Sequence, residues 1–174
     1  MRSLPEIVAM NAPRQLPRIL AVDPGGSCGW AVGDAGAGAT GLIASGTWRL
    51  DGDRSHPGLR YVRLLHECEL LARDHPSIAL VAYETPHMSG RLAAEYHLGV
   101  IAHLQSWAAR HQIPVLSVHS STLKKHATGD GRADKSAMVS CARQRFGRTP
   151  ATHDEADAIW IYHYSRSHWR FPRR

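Results

Sequence analysis

Beyond an opening segment punctuated by Pro5, Pro13 and Pro17, the chain starts a run of apolar β formers, Arg18 to Asp23. The run ends on a carboxylate and is broken by Pro24-Gly25-Gly26. Cys28 to Val32 resumes the extended pattern, Gly33 to Gly41 predicts a hairpin connection, and Leu42 to Leu50 predicts a third strand, together an antiparallel meander. The period then changes. From Gly58 to about Asp74, Leu59, Val62, Leu65 (or Leu64), Cys68 and Leu71 recur at helical spacing until Pro76 stops the run. Ile78 to Tyr83 is a short apolar strand that again reaches a carboxylate, Glu84, before a proline. Arg91 to His111 is helical in pattern, Val115 to Val118 predicts a last strand, and Asp134 to Phe146 and Asp154 to Tyr164 predict two more helices.

A meander followed by strands alternating with helices predicts an α/β domain, a mixed five-stranded sheet with helices on both faces. At 174 residues the chain has room for one such domain. Residues 1–17 read as a flexible N-terminal arm, 18–165 as the domain, and 166–174 as a basic aromatic tail suited to backbone tracking and base stacking.

The long helix carries more apolar surface than one sheet face readily covers. Glu95, Gly99, His103, Ser106 and Arg110 share a narrow polar face, while Ala93, Tyr96, Val100, Leu104 and Trp107 line another, flanked by Ala94, Leu98, Ile101 and Ala108. Either the helix is sandwiched within its own domain or it forms a subunit interface.

Composition adds bounds. Apolar residues make up 43% and charged residues 21%, a globular balance, and the formal net charge of +6 is compatible with a polyanionic partner. Cys28, Cys68 and Cys141 are too few and too scattered for a disulfide framework or a cysteine zinc site. No apolar run reaches the length of a membrane span and no signal-peptide core precedes Pro17, which predicts a cytoplasmic protein.

Four carboxylates stand out by position. Asp23 and Glu84 end two strands, and Asp154 and Asp157 lie one turn apart on the last helix. If the two strands are neighbours, the helix can bring its pair against theirs. Four hard oxygen donors with few bases beside them suit Mg²⁺. Two such ions roughly 3.5–4 Å apart can activate a water and stabilise the leaving oxygen of a phosphodiester. Each residue also has a plainer reading: Asp23 as a turn residue, Glu84 as an arginine partner, and Asp154 with Glu155 in a capping box begun by Thr152.

Taken in order, Ala21-Val22-Asp23-Pro24-Gly25, Tyr83-Glu84 and Asp154-Glu155-Ala156-Asp157-Ala158 resemble the RuvC Holliday-junction resolvases of bacteria and their phages, which have the RNase H-like fold. Lys124 to Lys135, a lysine followed by Gly129-Asp130-Gly131 and then Asp134-Lys135, is similar to the family's basic stretch before its penultimate helix. The resemblance spans roughly Ile19 to Tyr164. It implies that Asp23, Glu84, Asp154 and Asp157 ligate two Mg²⁺ ions, with Mn²⁺ as a substitute, and that Lys124 and Lys135 lie near the scissile phosphate or the DNA backbone. It implies a homodimer through helix 91–111 that nicks four-way junctions symmetrically, leaving 5′-phosphate and 3′-hydroxyl ends.

The family's junction-wedging aromatic is replaced here by His87, followed by Met88, both candidates for DNA contact. Lys125 and Arg132 extend the basic surface, with Gly129 and Gly131 allowing close approach to phosphates. A docking branch-migration motor has no signature in the sequence. Asp23-Pro24-Gly25 also resembles the first phosphate motif of sugar kinases and actin-like ATPases, but those need two such domains. A nuclease for flaps, forks and other branches, and a junction-binding protein without catalysis, are the remaining alternatives.

Overall fold

The computed structural model describes residues 16–25, 27–36, 41–52, 55–85 and 91–170. Five strands, β1 (Arg18–Asp23), β2 (Ser27–Asp34), β3 (Leu42–Arg49), β4 (Ile78–Thr85) and β5 (Val115–His119), form one sheet in the order β3-β2-β1-β4-β5. β1, β2 and β3 make the antiparallel meander, whereas β4 and β5 run parallel to β1. Among the described residues five helices accompany them: α1 (Leu59–Asp74), α2 (Arg91–Arg110), α3 (Ser120–Thr128), α4 (Lys135–Phe146) and α5 (His153–His168).

Side chains alternate across a strand, so each strand feeds two cores. Leu20, Val22, Val81 and Tyr83 point to one side, where α1 and α2 cover them with Leu64, Cys68, Leu71, Val100, Leu104 and Trp107. Ile19, Ala21, Leu80 and Ala82 point to the other, where α3, α4 and α5 contribute Leu123, Met138, Ala142, Ile159 and Tyr162. Helices therefore pack on both faces, as the pattern predicts. All three cysteines are free; Cys28 and Cys68 are buried and Cys141 is half-buried.

The packing corrects one expectation and decides another. The buried stripe of α1 is Leu64, Cys68 and Leu71, while Leu59 and Val62 are exposed (Val62 at 61%), so the inward face is rotated from the predicted one. In α2, Val100, Leu104 and Trp107 are fully buried within this chain itself. On its polar face Glu95, Ser106 and Arg110 are exposed, while His103 stacks on Tyr61 of α1 with ring centroids 4.3 Å apart. Ser120–Thr128 is a further helix that the hydrophobic pattern does not mark. Gly129 ends that helix in the left-handed region at φ 86°, which a glycine adopts without strain.

The last helix also runs past Tyr164 to His168. Arg166, read as the start of a tail, lies within it and donates from Nε and a terminal guanidinium nitrogen to the Gly36 carbonyl at 3.0 and 2.7 Å.

Candidate active site

β1 and β4 are parallel neighbours, with Val22 opposite Tyr83. The next residue on each strand is a carboxylate, so Asp23 and Glu84 leave the sheet side by side at the same edge. Both continue the series that faces α5: Ile19, Ala21, Asp23 on β1 and Leu80, Ala82, Glu84 on β4.

α5 is brought to that edge by a set of contacts at its first turn. Thr152 caps it, its hydroxyl accepting from the Glu155 amide at 3.0 Å. Glu155 is buried and both oxygens are engaged: Oε1 accepts from Ser45 Oγ and Oε2 from the Ala151 amide, each at 2.7 Å. The Thr47 and Thr152 hydroxyls share a further 2.7 Å hydrogen bond. Edge strand β3 thus holds the start of α5 in place. The capping role falls to Thr152 and the buried anchor role to Glu155, which leaves Asp154 and Asp157 half-buried toward the sheet edge.

The electrostatics follow from this crowding. Burial, then Glu84, Asp157 and Asp154, push the Asp23 carboxyl well above the usual carboxylate range, and Lys135 offsets them in part. Asp157 is pushed up to about 7 by burial, Glu84 and Asp154, against Lys135 and Lys124. All four sequence-predicted carboxylates therefore act on one another across a small volume, with two lysines beside them. Among the described residues, no three His, Cys, Asp or Glu side chains are gathered tightly enough to close around a cation. The donor chemistry still fits one: four hard oxygen donors in a half-buried site carry mutual repulsion that a divalent ion would relieve.

The lysines arrive by local design. Asp134 caps α4 by accepting from the Ala137 amide at 2.8 Å, which sets Lys135 as the first residue of the helix. Lys124 lies on α3, which is tied to α5 by a 2.8 Å hydrogen bond between His126 Nε2 and His163 Nδ1. Trp160, Tyr164 and His168 pack edge-on around His126, and Phe146 packs edge-on against His163. Lys125 and Arg132 are exposed on α3 and the loop after it. His87 and Met88 lie outside the described residues.

Sequence reasoning missed Glu155 as an anchor, along with Ser45, Thr47 and Gly29. Glu155 shares its helical stripe with the buried Ile159 and Tyr162, and that periodicity was the available signal. The hydroxyls of β3 gave none, because the polar half of an alternating strand reads as solvated.

A mixed sheet in this order with helices on both faces is an RNase H-like fold, and the paired acidic residues stand at the ends of its β1 and β4 and on its last helix. Two bacterial proteins named crossover junction endodeoxyribonuclease RuvC are similar to the chain. That of Cutibacterium acnes is 33% identical over 153 residues, covering 84% of this chain and 76% of the relative. That of Anaeromyxobacter dehalogenans is 33% identical over 145 residues, covering 82% and 77%. Thermus thermophilus RuvC, solved in complex with a Holliday junction substrate, superposes with a TM-score of 0.71 at 21% identity, covering 87% of this chain and 96% of that one. No family model matches. The chain belongs to the RuvC crossover junction endodeoxyribonuclease family.

Proposed function

We propose that the protein is a homodimeric, divalent-cation-dependent endonuclease that resolves four-way DNA junctions by paired symmetric nicks, acting in the cytoplasm. The observation that carries this reading is the register-matched pair Asp23 and Glu84 facing Asp154 and Asp157 in a chain of the RuvC family. Asp23, Glu84, Asp154 and Asp157 would hold two Mg²⁺ ions, with Mn²⁺ as a substitute. When bound, such ions activate the attacking water and stabilise the leaving 3′-oxygen. Lys135 and Lys124, which already act on Asp157, neutralise the approaching phosphate, and Lys125 and Arg132 add sequence-independent contacts to the DNA backbone.

The dimer reading requires a different surface of α2 from the one its sequence suggests. Leu98, Ala102, Gln105 and Ala109 are exposed at intervals of four, three and four residues and form one stripe. Leu98 is 49% exposed. This stripe supports pairing with a second copy while Val100 and Leu104 stay in the core.

The test is cleavage of a labelled immobile four-way junction beside a flap, a fork and a linear duplex, in Mg²⁺, Mn²⁺ and EDTA. Paired symmetric nicks in the junction alone, lost in EDTA, are the expected result. Equal cutting of every branched form would replace the substrate assignment with a general branched-DNA nuclease. Tight junction binding without cutting in either metal would overturn the catalytic assignment.

A further inference from the structure

Beside the carboxylates, on the same face and edge of the sheet, lies a cleft of about 490 Å³ that the reading above leaves unused. Its lining is mostly hydroxyls with one cation: Ser27 at the start of β2, Thr47 and Arg49 at the end of β3, and Thr149 and Thr152 leading into α5. Glu155, the carboxylate in this lining, has both oxygens occupied by Ser45 and the Ala151 amide and closes the inner wall.

The register fixes where this cleft stands. Ser27 pairs with Arg49 across β2 and β3, and Asp23 pairs with Gly29 across β1 and β2. Arg49, Ser27, Asp23 and Glu84 therefore follow one another along a single edge. Arg49 lies on the face of Ser45 and Thr47, both hydrogen-bonded to the α5 segment, so it shares the carboxylates' side of the sheet. Two strand spacings, about 10 Å, separate β3 from β1. Lys124 and Lys135 come from α3 and α4, the cleft from β3 and the Thr149–Thr152 segment. The carboxylates are thus flanked by basic or hydroxyl-bearing groups supplied from different elements.

The geometry points to the Arg49 cleft as a subsite for a backbone phosphate of the cleaved strand, one to three nucleotides from the scissile bond. The Arg49 guanidinium, with the Ser27 and Thr149 hydroxyls in the same lining, suits a phosphate diester, which offers acceptors only. Such a contact would fix the direction in which the strand crosses the carboxylates. The inference rests on the nuclease reading for its substrate class and extends it to residues outside the carboxylate set.

The test uses binding, so that it stands apart from cleavage. Arg49→Ala, at an exposed position, is compared with the wild type for four-way junction affinity in EDTA over a range of salt. We expect roughly tenfold weaker binding at low salt and a salt slope reduced by about one. Junctions carrying one neutral methylphosphonate at successive positions near the cut then locate the contact. One position should weaken the wild type but not Arg49→Ala, and Arg49→Lys should recover part of the affinity. Unchanged affinity and slope in Arg49→Ala, or equal losses in both proteins at every methylphosphonate position, would overturn the subsite. Absent nicking by the wild type in Mg²⁺ would sink the nuclease reading instead, and is scored separately.

Discussion

Gly29 of β2 lies directly against the Asp154 carbonyl of α5: a methyl group at Gly29 would come within 1.9 Å of that oxygen. The close approach is what carries the start of the helix over the sheet, and Gly29 is the register partner of Asp23. Gly29→Ala must therefore shift α5 outward. A displacement near 1 Å at a reacting centre costs on the order of 10²-fold in rate, and overpacking of this kind costs about 1–3 kcal/mol in stability. Junction cleavage should fall by about that factor, while junction binding through the exposed lysines falls far less. A cleavage rate within twofold of wild type would refute the role given to this contact.

Asp157→Asn removes ligand charge with little change of shape, and should abolish Mg²⁺-dependent cleavage while junction binding persists. It should also stabilise the metal-free protein near neutrality. Asp157 is raised from 3.8 to about 7 in the fold. The native state then holds more protons than the unfolded chain between those values, and stability falls as pH rises through that window. Thermal melts in EDTA at pH 8 should place Asp157→Asn above wild type by on the order of 2 kcal/mol, or roughly 4–8 °C, with the gap closing at pH 4. A lower melting temperature at pH 8 would contradict the repulsion described above.

On α2, the surface and core positions should separate cleanly. Leu98→Glu places a charge on the exposed stripe and should yield a folded monomer, read by sedimentation or light scattering. Leu104→Ala empties a fully buried site and should cost about 2–5 kcal/mol in folding stability whatever the oligomeric state. A folded Leu98→Glu variant that stays dimeric would exclude this stripe as the interface.

The histidine pair between α3 and α5 predicts acid sensitivity of the opposite sign. His163 is pulled from 6.5 down to about 4 by burial and by the neighbouring His126, Arg145, Arg166 and His168. Its folded-state value is depressed, so the unfolded chain binds the extra proton, and stability present above 6.5 is lost as pH falls toward 4. Denaturation at pH 7 and pH 5 should differ by about 1–2 kcal/mol more in wild type than in His163→Gln. The same loss in both proteins would assign the acid sensitivity elsewhere.

Much of this site was legible in one dimension because its residues end regular elements. Asp23 and Glu84 close apolar β runs, and Asp154 and Asp157 share a turn of an otherwise buried helix, so local period alone found them. What the sequence withheld depends on distant pairing. Glu155 and Ser45 are 110 positions apart, and Thr47 and Thr152 are 105 apart, so nothing local marks the clamp they form. α3 escaped because, of its residues, only Leu123 and Ser120 are buried, too few for a helical stripe. The face of α1 was misjudged for a related reason. Apolar residues at 59, 61, 62, 64 and 65 trace two overlapping stripes, and only packing against Val100, Leu104 and Trp107 selects between them.

The parallel pairing of β1 with β4 has a mechanical consequence. Asp23 and Glu84 leave adjacent rungs of a peptide hydrogen-bond ladder, so their backbone pitch is that of the ladder itself, about 4.8 Å. No exchange of core side chains can stretch it. The site is built like a calliper with one fixed jaw in the sheet and one sliding jaw in α5, whose position is set by Gly29, Glu155 and Thr152. Tuning of the jaw opening during divergence would therefore fall on the few residues that seat the helix, while the apolar interior drifts without touching the chemistry.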